Sequence, residues 1–240
     1  SRSLLFVDWS SPAGGNVWRL DLAGGAARKV SDRAAFYTHP VFAPDGSVLT
    51  IRSPTTDRLA GYVEFGEFRE AELVRLGSGG AERLATGSMG GRPHFLAGAD
   101  AILLNRPDGV HSIGADGTGR LLAGAEGANW YFAQGPAKAD DLRIAPDGRW
   151  GLARIAQQLH LFALPDRPGS TVALSRPQVR HRRITAEGAD YFGWSANGQS
   201  LWWSLGSTFH TRPLAAVTLD EPGTIPGSAD APAPSEGGVK

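Results

Sequence analysis

Residues 193–198 read Gly193-Trp194-Ser195-Ala196-Asn197-Gly198. A serine after an aromatic, behind an apolar run and flanked by glycines, has the composition of a nucleophile elbow, which presents a hydroxyl for acyl transfer. That chemistry requires a strand–turn–helix context and a glycine two residues after the serine. Here that position is Asn197, and the QSLWWSL that follows reads as a strand. Ser195 is therefore read as the end of a strand entering a hairpin, and no residue is assigned a catalytic role. The one basic cluster, RPQVRHRR at 176–183, could meet phosphate or a carboxylate-rich partner. Zero net charge and the lack of interleaved aromatics favour a solvated loop instead. Glycine clusters such as GADGTG lie between strands, with no helix N-terminus behind them to hold an anion.

The elements that would position any such group are short. Glycine is abundant, at 32 of 240 residues, and brief apolar segments alternate with Gly, Pro, Asp and Ser clusters. This is the texture of an all-β chain rich in turns. VFAPDGSVLTI, LRIAPDGRWGLARI and YFGWSANGQSLWW share one plan: strand, Asp-Gly or Asn-Gly turn, strand. Such dipeptides accept positive φ at both central positions of a tight hairpin. The anchoring glycines are Gly46, Gly148 and Gly198; the last two lie 50 residues apart and the first two about twice that. HFLAGADAILL fills the gap as a degenerate copy near residue 98. A second hairpin recurs between the anchors, in VWRLDLAGGAARKV, AELVRLGSGGAERL, VHSIGADGTGRLL and, more loosely, LHLFALPDRPGSTVAL.

Two hairpins per repeat make four strands, the plan of a β-propeller blade. Five blade-like units are expected, at about 4–30, 39–85, 93–123, 140–175 and 190–219. The first lacks its innermost strand, and the second carries an acidic excursion, GYVEFGEFREAE. Five units make either a small ring or a segment of a larger one, and a start in mid-blade favours the segment. The propeller is thus expected over 1–219. Residues 220–240 read as a Pro/Gly-rich linker or disordered tail, with Pro and Gly supplying eight of the last twenty residues EPGTIPGSADAPAPSEGGVK. There is no cysteine, which excludes disulfides and thiolate metal sites. The balance of 24 basic and 24 acidic residues gives no global field for nucleic acid or an anionic membrane. No apolar run reaches membrane-spanning length, and the first ten residues are too short in their apolar part for a signal peptide.

FAPDG and IAPDGRW, paired with VWRLDLAGGAARKVSD, resemble the WD40-like repeats of TolB-type propellers. YFGWSANGQSLWWSLGSTFHTRPL looks like the last propeller repeat of large bacterial amidohydrolase-family proteins, in which a TolB-like propeller precedes a metal-dependent barrel. The resemblance spans about 1–214. It implies a non-catalytic module that scaffolds a hydrolase or gates access to its site. The partner would then be a catalytic domain in the same parent chain. The competing implication is a TolB-like periplasmic propeller that binds other proteins. A self-contained propeller enzyme or sugar-binding module is a third. Such hydrolases bind metal through an His-x-His; here His39, His94, His111, His160, His181 and His210 are scattered singly, so neither a metal site nor a cofactor is expected in this chain. The resemblance also implies a periplasmic or secreted location, which the lack of cysteine permits.

Seven residues before each anchoring glycine stand His39, Asp141 and Tyr191, with Arg92 near the equivalent place in the degenerate repeat. These positions are expected to start inner strands, at a channel mouth where mixed polar groups could hold a small ligand, a metal or a peptide. A solvated polar mouth is the plainer reading, since a fold does not make a site. Trp130 and Tyr131, in GAEGANWYFAQGPAKAD, are either an exposed aromatic platform for a partner or packing between blades. The remaining tryptophans are read as core, with the adjacent Trp202 and Trp203 on opposite faces of one strand.

Overall fold

The computed structural model describes residues 2–11, 13–56, 71–77, 79–114, 116–130 and 132–225. Most of the acidic excursion, residues 226–240 of the tail, and Tyr131 lie outside the described residues. The chain is all-β, with a β-propeller fold of five antiparallel blade sheets. By their internal contacts the described residues form two compact units, one within 1–95, 100–107 and 112–120, the other within 96–99, 108–111 and 121–225.

The first sheet is three-stranded, β1 (Ser3–Val7), β2 (Val17–Asp21) and β3 (Arg28–Lys29) in that order. The second is four-stranded: β4 (Phe36–Phe42), β5 (Val48–Ser53), β6 (Glu72–Gly77) and β7 (Gly80–Thr86). The third joins β8 (Gly90–Phe95), β9 (Ile102–Arg106), β10 (Gly109–Ile113), β11 (Gly119–Gly127) and β12 (Ala137–Lys138) in sequence order. β13 (Asp141–Ile144), β14 (Trp150–Ile155) and β15 (Gln158–Ala163) begin the fourth sheet. β16 (Ser170–Ala173) does not complete it. It pairs in parallel with β11, and β17 (His181–Arg183) takes the outer place beside β15. The fifth sheet is β18 (Tyr191–Trp194), β19 (Ser200–Leu205) and β20 (Thr208–Pro213), followed by a 3-10 turn at Leu214–Ala216.

Two expectations are thereby corrected. The fourth blade does not close with STVAL, because that segment finds its hydrogen bonds along β11. The basic cluster is not simply a solvated loop, since its last three residues form β17. Arg182 Nη1 lies 3.0 Å from Asp220 Oδ1, and Arg176 Nε donates to Gly223 O at 3.0 Å.

In the first unit the strands after the Gly46 turn and after the degenerate turn near residue 98 are the most deeply placed. All six residues of β5 are buried, as are Ile102–Asn105 of β9. Residues on β5 alternate between two apolar groups. Leu49 and Ile51 pack with Leu73, Ile102 and Leu104, while Val48 packs with Val17, Val74 and Leu76. This period of two follows from the pleat, and fully burying each such side chain contributes about 1.5–3 kcal/mol. In the second unit, Leu152, Leu159 and Leu161 pack with Phe192, Leu201 and Trp203.

The anchoring turns are hairpins, but of a different type from that expected. Gly46 N donates to Ala43 O, Gly148 N to Ala145 O and Gly198 N to Ser195 O, each at 2.9 Å. Each glycine has positive φ, whereas the preceding Asp45, Asp147 and Asn197 do not. Proline at the second place of two of them fixes negative φ, so the pattern is a type I turn closed by glycine.

Candidate functional site

In the second unit Asp141 opens β13 and is only 8% exposed. Its carboxylate is held by Arg143 two residues on, on the same face of the strand. Arg143 Nη2 donates to Oδ2 at 2.6 Å, and Nε sits 3.1 Å from both oxygens. The antiparallel register sets Arg154 of β14 opposite Asp141. Arg154 Nη1 donates to Asp190 O at 2.6 Å, and its Nε lies 3.8 Å from the Asp140 carboxylate. The Phe192 ring, from β18, lies 5.6 Å from the Arg143 guanidinium carbon and 6.0 Å from that of Arg154. Crowding by surrounding protein raises the Asp140 carboxyl above its ordinary range, against the pull of the Arg154 cation. Asp190 Oδ2 accepts from Gly206 N at 2.7 Å.

Tyr191 stands next to this stack and is 73% exposed. It pairs with Ser204 across β19, so its backbone is fixed while its ring faces solvent. The structure thus brings Asp141 and Tyr191 to the first positions of β13 and β18, as the spacing predicts.

His39 and Arg92 are placed differently. Both lie inside strands, not at their starts, and both fall at irregularities: the register shifts between Thr38 and Val41 in β4 and between Gly90 and His94 in β8. His39 has φ 53° and precedes Pro40, a backbone strain that a β-bulge imposes. β4 and β8 lie against each other in the first unit, and both side chains are exposed. Nothing in the sequence around His39 signals a bulge except the His-Pro step itself.

Ser195 belongs to its hairpin. Its Oγ donates to Asn197 Oδ1 at 2.7 Å and accepts from Ser200 N at 3.0 Å. Gly193 is needed for packing: a Cβ there would come within 2.8 Å of the Trp202 ring, which covers it from the paired position on β19. Trp203 faces the core on the other side, as alternation requires. Trp130 stacks with Phe132 at 6.5 Å, both well exposed, so Phe132 belongs with Trp130 in the aromatic surface of this loop. Spacing of two would have shown it. Among the described residues no three or more His, Asp or Glu side chains converge on a metal position, and no helix is long and apolar enough to cross a membrane.

Comparison with known proteins finds no matching family model and no matching curated protein. Solved structures do match. TolB from Acinetobacter baumannii aligns over 94% of this chain with 14% identity and a TM-score of 0.50. A protein assigned as a 6-phosphogluconolactonase from Bacteroides fragilis aligns over 95%, with 18% identity and a TM-score of 0.48. The chain spans 54% of the TolB chain and 68% of the other. At these identities the TolB likeness bears on the fold.

Proposed function

We propose that this chain is a non-catalytic, protein-binding propeller module, and that its partner is the catalytic domain of an amidohydrolase-like hydrolase in the same parent chain. The module scaffolds that domain or gates access to its site. The observation that carries this reading is Tyr191. It is a large aromatic held out into solvent from a paired strand, beside a stack whose charges are already paired. An aromatic on a fixed backbone is the kind of anchor that dominates binding energy at interfaces. Asp141, in contrast, is engaged by Arg143 and offers no free base for a nucleophile.

The second reading is a TolB-like interaction propeller acting on a separate partner in the periplasm, and the TolB fold match favours it. The reading frame on both sides of this segment discriminates the two. A downstream barrel with an His-x-His supports the first. An export signal upstream and a stop soon after Lys240 support the second. Metal-dependent turnover by the isolated chain overturns both.

A further inference from the structure

We propose that residues 220–224 form a strap that closes the outer edge of the fourth sheet and opens on its own, with Asp220 as its catch. By composition these residues belong to the Pro/Gly-rich tail, yet they lie against β17 and the basic segment before it.

Two holds fasten the strap. At the first, His181 N donates to Asp220 O at 3.2 Å and Asp220 N to His181 O at 2.7 Å, an antiparallel bridge one residue long. The Asp220 carboxylate closes the same point, its Oδ1 3.0 Å from Arg182 Nη1. At the second, Gly223 N donates to Pro177 O at 2.6 Å and Arg176 Nε donates to Gly223 O at 3.0 Å. Pro222 stands between the holds and has no N–H to give, so it adds no donor to the edge.

The two sides of Asp220 differ. Before it, Val217 is buried with Leu152, Leu159 and Leu161, and Leu219 packs against the same group. After it, Glu221, Pro222 and Thr224 are exposed, and Ile225 is 79% exposed. Few buried apolar contacts and backbone bonds at a sheet edge mark a segment that opens locally, well below the free energy of global unfolding. Val217 and Leu219 therefore stay as the anchor, and the chain from Asp220 onward swings. The ion pair is the firmest hold on it, because the Arg182 and Asp220 side chains are only 12% and 19% exposed. Closed, the strap covers the backbone of β17 at His181. Open, it bares that edge beside Arg176 and Arg182, and an unpaired sheet edge is where another extended segment adds.

The test is native-state hydrogen exchange of the full chain, read as protection at the His181, Asp220 and Gly223 amides and at the amides of β14. In the native sequence the three strap amides are expected to be less protected than β14 by about tenfold or more. Asp220→Asn and Arg182→Gln should each lower protection at the His181 and residue-220 amides by about another fivefold. Glu221→Gln removes a neighbouring charge outside the pair and should leave protection unchanged. Melting temperatures check that the variants fold, and the comparison within the native sequence needs no variant. Strap amides as protected as β14, unchanged protection in either Asp220→Asn or Arg182→Gln, or an equal loss in Glu221→Gln each overturns the proposal.

Discussion

Arg143 in the second unit and Arg52 in the first both keep a guanidinium nearly out of water against a carboxylate, through Asp141 in one case and Glu72 in the other. Both pairs are set by strand geometry, the first by two residues on one face of β13, the second by direct opposition across β5 and β6. What differs is what covers them. The face of Phe192 lies over Arg143 and Arg154, and the pair is closed. Arg52 instead opens on a cavity beside an unpartnered Ser53 hydroxyl. Desolvating a charge pair is costly, and the attraction within the pair only partly offsets it. In the closed case the paired charges lie under the ring next in sequence to Tyr191. In the open case the paired charges line a cavity.

The largest effect should come from breaking the open pair. Arg52→Leu leaves Glu72 and Asp32 without their buried partner, and we expect a loss of about 3–5 kcal/mol in urea unfolding. A loss below about 1 kcal/mol would mean that water already reaches the pair, and the contrast between the two regions would fail.

Next is acid sensitivity, which the second unit should carry. Burial, then the electrostatic influence of Arg183 and of the neighbouring His181, pulls His160 down to about 4. Arg183 sits directly opposite it across β15 and β17. Between an unfolded value near 6.5 and the folded value of about 4, the unfolded chain takes up a proton that the folded chain refuses. Stability therefore falls as pH falls through that window, by about 3 kcal/mol from this group. His160→Gln should flatten that limb, as read from melting temperatures at stepped pH. An unchanged limb would place the acid-sensitive group elsewhere.

A smaller effect tests the closed pair. Phe192→Leu keeps apolar bulk but removes the ring face over two cations, and should cost about 1–2 kcal/mol. If the variant is as stable as the parent, the ring only fills space there.

The repeat was legible because turn residues recur at fixed distances, and Gly46, Gly148 and Gly198 each close a hairpin. Asp-Gly alone suggests positive φ at both central positions, but Pro44 and Pro146 forbid it at the position they occupy, so proline decides the turn type. The placement of β16 was not legible. STVAL is a sound strand, but which edge it joins depends on non-local pairing with β11, and no local residue encodes that. The two charge pairs divide the same way. Asp141-x-Arg143 is visible as a same-face pair, and Arg154 follows by counting back from the Gly148 turn. Arg52 and Glu72 are separated by a long connection, so their opposition cannot be counted from a turn.

The most direct test of the proposed role is the affinity of this chain for the catalytic domain proposed to share its parent chain, measured with the native sequence and with Tyr191→Ala. Tyr191 is exposed, so the substitution should shift stability by no more than about 0.5 kcal/mol. The account predicts at least a tenfold loss of affinity, about 1.4 kcal/mol, at an unchanged melting temperature. Full affinity in the variant, or no binding by the native sequence, would contradict it.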